Sequence, residues 1–116
     1  MEFRTLQQTD LKVSRLSFGN LTFGSQTDEA HSCRIVDRLL EAGINFFDTA
    51  NSYNLGLSET ILGKALGPRR KDVTLASKVF NKMGDGADDR GLSRAAMHKA
   101  IDATLARLGT DYLDIY

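Results

Sequence analysis

Short apolar, β-prone runs alternate with amphipathic helical stretches along this chain, and that alternation restricts its fold more than any other feature. Strand patterns cover residues 15–18, 44–48, 73–78 and 112–116, with helical periodicity over residues 28–42, 58–66 and 93–108 between them. A helix between two strands returns the chain for parallel pairing, so the order predicts a parallel α/β sheet. Two architectures have that order: a doubly wound sheet and the N-terminal half of an eight-fold (β/α)8 barrel. No G-x-G-x-x-G turn follows the first strand, and charged residues, Asp48 and Lys78, close successive strands. Both observations favour the barrel, whose chemistry gathers at the C-terminal strand ends. Ahead of it, residues 2–6 and 11–13 flank the turn Gln7-Gln8-Thr9-Asp10 and read as a small β-hairpin.

Each helix carries its own punctuation. The first has Thr27 as the expected N-cap, Asp28 and Glu29 at its positive end, and Ala30, Cys33, Val36, Leu39 and Leu40 on one face, with Gly43 closing it. The second presents Ile61, Leu62, Ala65 and Leu66 to a core and stops at Gly67-Pro68. The third carries Met97, Ile101, Thr104, Leu105 and Leu108 on one stripe and ends at Gly109.

At 116 residues the chain has the length of one small domain, with 41% apolar and 26% charged residues. Fifteen basic and fifteen acidic side chains cancel without long blocks of either sign, which leaves no footprint for nucleic acid or an anionic membrane. Arg69-Arg70-Lys71 is read as a solvated turn ahead of a strand. Cys33, the single cysteine, excludes an intramolecular disulfide framework and reads as a packed thiol in a reducing, cytoplasmic setting. The first residues lack the apolar core of a secretory signal, and no stretch approaches the roughly 20 apolar residues of a membrane span. No metal site is expected.

The chemistry concentrates in residues 43–53, Gly-Ile-Asn-Phe-Phe-Asp-Thr-Ala-Asn-Ser-Tyr. An apolar strand ends there in a carboxylate, and burying Asp48 unpaired beside two phenylalanines would cost several kcal/mol. The next strand ends in Lys78. The intervening crossover places both charges at one sheet edge, and the Tyr53 hydroxyl follows Asp48 by five residues. The loop after the first strand, Gly19-Asn20-Leu21-Thr22-Phe23-Gly24, has two glycines that permit close backbone approach to a ligand, or simply form a turn.

These residues carry a resemblance. Phe47-Asp48-Thr49-Ala50-x-x-Tyr53, Glu59 shortly before Ile61-Leu62-Gly63, Ser77-Lys78, and the run from Arg107 to Asp114 closely resemble the aldo-keto reductase superfamily. The 51–59 segment is similar to the branch containing aryl-alcohol dehydrogenases and potassium-channel β subunits. The resemblance implies a partial barrel domain over residues 1–116, ending within its fourth strand, of an enzyme that reduces aldehyde or ketone carbonyls with NADPH. It implies that Tyr53 is the general acid, that Lys78 adjoins the phenol and that Asp48 pairs with Lys78. A phenol of reference pKa about 10 is a sluggish acid near neutrality, and a neighbouring ammonium brings it toward the working pH.

The same resemblance puts Asn20, Leu21, Gln26 and Asp48 beside the cofactor. It also places a fourth catalytic residue, a histidine, just past the fourth strand; His31 and His98 fall inside helices and read as surface residues. The expectation is therefore an incomplete site, inactive in isolation, with self-association through open sheet edges. The alternative is a non-enzymatic regulatory or assembly module on the same fold.

Overall fold

The computed structural model describes residues 1–116. Strands β1 (Phe3–Thr5) and β2 (Lys12–Ser14) form an antiparallel hairpin, with Phe3 opposite Ser14. Strands β3 (Phe18–Gly19), β4 (Phe46–Asp48) and β5 (Thr74–Ala76) form a parallel sheet in that spatial order. Helices α1 (Glu29–Glu41) and α2 (Leu57–Leu66) make the crossovers, and α3 (Arg94–Leu108) follows β5. A sheet whose spatial order repeats its chain order grows in one direction, as a barrel wall does; a doubly wound sheet reverses at a switch point. The hairpin is tied to the start of β4 through Asn45, which accepts from the Ser14 amide at 2.7 Å and donates to the Lys12 carbonyl at 2.9 Å.

The core lies between the sheet and one layer of helices. Period-two alternation sends Phe47 and Leu75, both fully buried, to the same face of the sheet. Val36 of α1, Ile61, Leu62 and Leu66 of α2, and Leu108 of α3 cover them. Phe18 packs edge-on to Phe47 at 6.3 Å and tilted against Phe23 at 5.7 Å between ring centroids. The half-buried Cys33 packs against this cluster, as its position on the apolar stripe of α1 predicts.

Helix α2 approaches α3 closely at Gly63, where a Cβ would collide with the backbone of Leu108. That contact is with main chain, so no side-chain rotation relieves it. Gly109 ends α3 in a left-handed conformation, φ 65°, as expected of a C-terminal glycine.

Several local expectations are corrected. The N-cap of α1 is Asp28 rather than Thr27, since the Asp28 carboxylate accepts from the His31 amide at 2.7 Å. The buried face of α3 consists of Ala96, Thr104 and Leu108; Met97 is exposed, and Ile101 and Leu105 are only partly covered. Small side chains face α2 because the helices pack closely. Arg70 is not in a solvated turn. It is 9% exposed, reaches the Asp114 carboxylate at 2.8 Å and lies 4.0 Å from the Tyr112 ring centre. The 112–116 run pairs with the sheet at a single bridge, Ala76 to Ile115, instead of a full strand. No helix is long and apolar enough to cross a membrane.

Candidate active site

The parallel register lines up three strand ends: Gly19 stands opposite Asp48, and Asp48 opposite Ala76. Lys78 lies two residues past β5, with its carbonyl accepting from the Asn51 amide at 3.3 Å. Tyr53 opens a 3-10 turn, Tyr53–Gly56, that bends the chain into α2. The turn is sharp. Asn54 and Leu55 take left-handed conformations with φ of 49° and 51°, uncommon for a branched side chain such as leucine.

These three segments converge on the Lys78 ammonium. Its Nζ donates to Asp48 Oδ2 at 2.8 Å, to the Thr49 carbonyl at 2.7 Å and to Tyr53 Oη at 3.3 Å. It also stands 5.0 Å from the centre of the Tyr53 ring. Partial burial pulls the lysine pKa down, but hydrogen bonds to Asp48 and Tyr53 outweigh that effect and leave it above 10.5. The Lys78 side chain remains 47% exposed and that of Asp48 35% exposed, so the cluster opens on solvent. The arrangement can hold a charged ammonium against a phenol hydroxyl and let that hydroxyl give or take a proton.

The residues expected beside a cofactor occupy the neighbouring loop. Leu21 and Gln26 are exposed. Asn20 is fully buried: its amide donates to the Ser58 carbonyl at 3.3 Å, and its carbonyl oxygen on the main chain accepts from Ser58 Oγ at 2.6 Å. Asn20 Oδ1 and Thr49 Oγ1 are buried without a partner. The loop therefore turns Leu21 and Gln26 outward and uses the Asn20 side chain to join β3 to the start of α2.

A second charged cluster lies behind the first. Glu59, in the first turn of α2, is fully buried and accepts from Ser77 Oγ at 2.6 Å, Thr104 Oγ1 at 3.1 Å and Arg107 Nε at 2.7 Å. The motif reading named Glu59 without anticipating its burial. The signal was present, because Glu59, Leu62 and Leu66 share the i, i+3, i+7 spacing of one helix face. No group of three or more His, Cys, Asp or Glu side chains is arranged to hold a metal ion.

Comparison with known proteins bears on the family and the fold. The chain is 44% identical over 127 aligned residues to an uncharacterized oxidoreductase, YrpG, of Bacillus subtilis, covering 100% of this chain and 39% of that protein. It is 41% identical over 119 residues to a probable voltage-gated potassium channel subunit beta of Arabidopsis thaliana, covering 99% of this chain and 36% of that one. The structure of aldo-keto reductase AKR11C1 from Bacillus halodurans, in its holo form, superimposes with a TM-score of 0.86 at 45% identity. That alignment covers 97% of this chain and 38% of the other, so the chain spans well under half the length of the proteins it resembles. The sheet is accordingly part of a (β/α)8 barrel. Residues 15–116 match the model of the aldo/keto reductase family, and this chain belongs to that family.

Proposed function

We propose that this chain carries the acid–base side of a site that reduces aldehyde or ketone carbonyls to alcohols with NADPH. One observation supports the reading above others: a single lysine Nζ lies within hydrogen-bond reach of both Asp48 Oδ2 and Tyr53 Oη. A bound nicotinamide supplies hydride to the carbonyl carbon. Tyr53 gives its proton to the carbonyl oxygen as that oxygen gains negative charge, so one hydride and one proton convert C=O to CH–OH. The phenolate left on Tyr53 is offset by the Lys78 ammonium at 3.3 Å. Asp48 holds that ammonium charged and in place.

The residues fit the nicotinamide-ribose end of such a cofactor. Lys78 engages Asp48 Oδ2, which leaves Oδ1 to accept from a ribose hydroxyl. Gly19, opposite Asp48 in the register, adds no side chain to the rim. Leu21 and Gln26 contribute an exposed apolar surface and an amide on the adjoining loop. Asn20 shapes that loop from inside instead of extending its side chain toward the cofactor.

A second reading, a regulatory or assembly module on the same fold, draws on the likeness to the Arabidopsis channel subunit. NADPH oxidation by a barrel with this chain as its N-terminal part, measured against an aldehyde panel, separates the two. Carbonyl-dependent turnover supports the reductase. Cofactor binding without turnover favours the regulatory module, and absence of both contradicts the cofactor assignment. The 116 residues alone are expected to show no carbonyl turnover.

A further inference from the structure

We propose that the buried Glu59–Arg107 pair is the positioning unit that sets the Tyr53–Lys78 separation, acting through Ser77 on one side and Gly56 on the other. The inference rests on the acid–base reading of Tyr53 and Lys78, and concerns what holds them in register. Side chains alternate along a strand, so Ser77 points to the helix layer and Lys78 to the opposite face. The Glu59 carboxylate grips Ser77 Oγ at 2.6 Å, directly behind the residue that carries the ammonium.

That strand end has little else to hold it. Regular pairing stops at Ala76, and beyond it the main chain is fixed by Ser77 N to Ile115 O at 3.1 Å and Asn51 N to Lys78 O at 3.3 Å. Phe80, two residues after Lys78, has φ of 132°, so the chain turns away sharply.

The other arm reaches the tyrosine. Gly56 closes the turn that Tyr53 opens, with φ of 92°, and a Cβ there would stand 2.7 Å from Arg107 Cδ and Nε. The Arg107 side chain thus packs on the main chain of the Tyr53 turn while its Nε holds Glu59 at 2.7 Å. One ion pair is in contact with both segments whose side chains meet across 3.3 Å. Apolar side chains of similar volume would fill this space with equal or better stability, but they supply no directional bonds. Directional bonds are what two converging side chains require.

Nuclear magnetic resonance of the 116-residue chain tests the proposal by two readouts: titration of the Lys78 ammonium, and the cross-peak between its ε-methylene and the Tyr53 ring. In the parent chain Lys78 is expected to titrate above 10.5, with the cross-peak present. Ser77→Ala removes one hydroxyl, and Arg107→Met replaces the guanidinium by an apolar side chain. In either variant, folded by circular dichroism, the titration should fall toward 10.5 and the cross-peak should be lost. Val36→Ala, a core change on α1, should leave both readouts in place, which separates positioning from general loosening. Unmoved readouts in folded Ser77→Ala and Arg107→Met overturn the positioning role and leave the acid–base reading intact. An ordinary Lys78 titration without a cross-peak in the parent chain overturns both.

Discussion

Lys78 is the residue on which the site's charge balance turns, and its environment sets a pH dependence of definite sign. Its folded-state pKa is raised above 10.5, so its contribution to stability is fully present below that value and is lost as pH rises through the folded-state pKa. Denaturation curves at neutral and strongly alkaline pH should show this loss, and Lys78→Met should flatten the alkaline slope. Glu59 and Arg107 make a different prediction. The Glu59 side chain is fully buried and that of Arg107 is 24% exposed, so removing either partner strands the other. Glu59→Ala should cost about 3–5 kcal/mol in urea unfolding. The double variant with Arg107→Ala should cost less than the sum of the two singles.

The three residues that meet at the Lys78 ammonium were legible because each stands where a pattern breaks: Asp48 ends a phenylalanine run, Lys78 ends the next apolar run, and Tyr53 follows in the loop. Arg70 gave no such sign, since its partner Asp114 lies 44 residues away and only the fold brings them together. Glu59 fell between these cases, on an apolar stripe but with three of its partners on other elements.

At the level of elements, the α2–α3 contact is the most exacting. Gly63 faces the main chain at Leu108, so Gly63→Ala should lower stability by about 1–3 kcal/mol, seen as a lower urea midpoint with an unchanged slope. Helix α2 was legible to its individual buried residues, Ile61, Leu62, Ala65 and Leu66, because large apolar letters mark a face strongly. Helix α3 was misread in part. Thr104 and Leu108 lie on the expected stripe and are buried, but the packed face also takes in Ala96 and the stem of Arg107, letters that periodicity treats as neutral or polar, whereas Met97 and Ile101, on the same stripe, line an open pocket with Tyr116. Close helix approach selects small residues, and a hydrophobicity pattern cannot register that.

As a whole the chain is a slab of 43 × 37 × 21 Å, one sheet and one helix layer thick. Its radius of gyration, 14.2 Å, exceeds the approximately 13 Å of a compact domain of similar length. Strand β3 pairs only with β4, and β5 has only the Ile115 bridge on its outer side. Open edges of this kind invite pairing, so light scattering of the 116-residue chain should report species larger than a monomer. The parallel α/β class was legible from the alternation of elements and the barrel from the charged strand ends and the missing G-x-G-x-x-G turn, while the reduction of the last run to one bridge was not.

The central claim is that Tyr53 delivers the proton when a carbonyl is reduced, with Lys78 and Asp48 supporting it. Its most direct measurement is kcat for NADPH-dependent aldehyde reduction by a barrel with this chain as its N-terminal part, before and after Tyr53→Phe. Positioned acid catalysis contributes roughly 100- to 10,000-fold, so kcat should fall by that factor while NADPH still binds. Turnover within a few-fold of the parent would contradict the account.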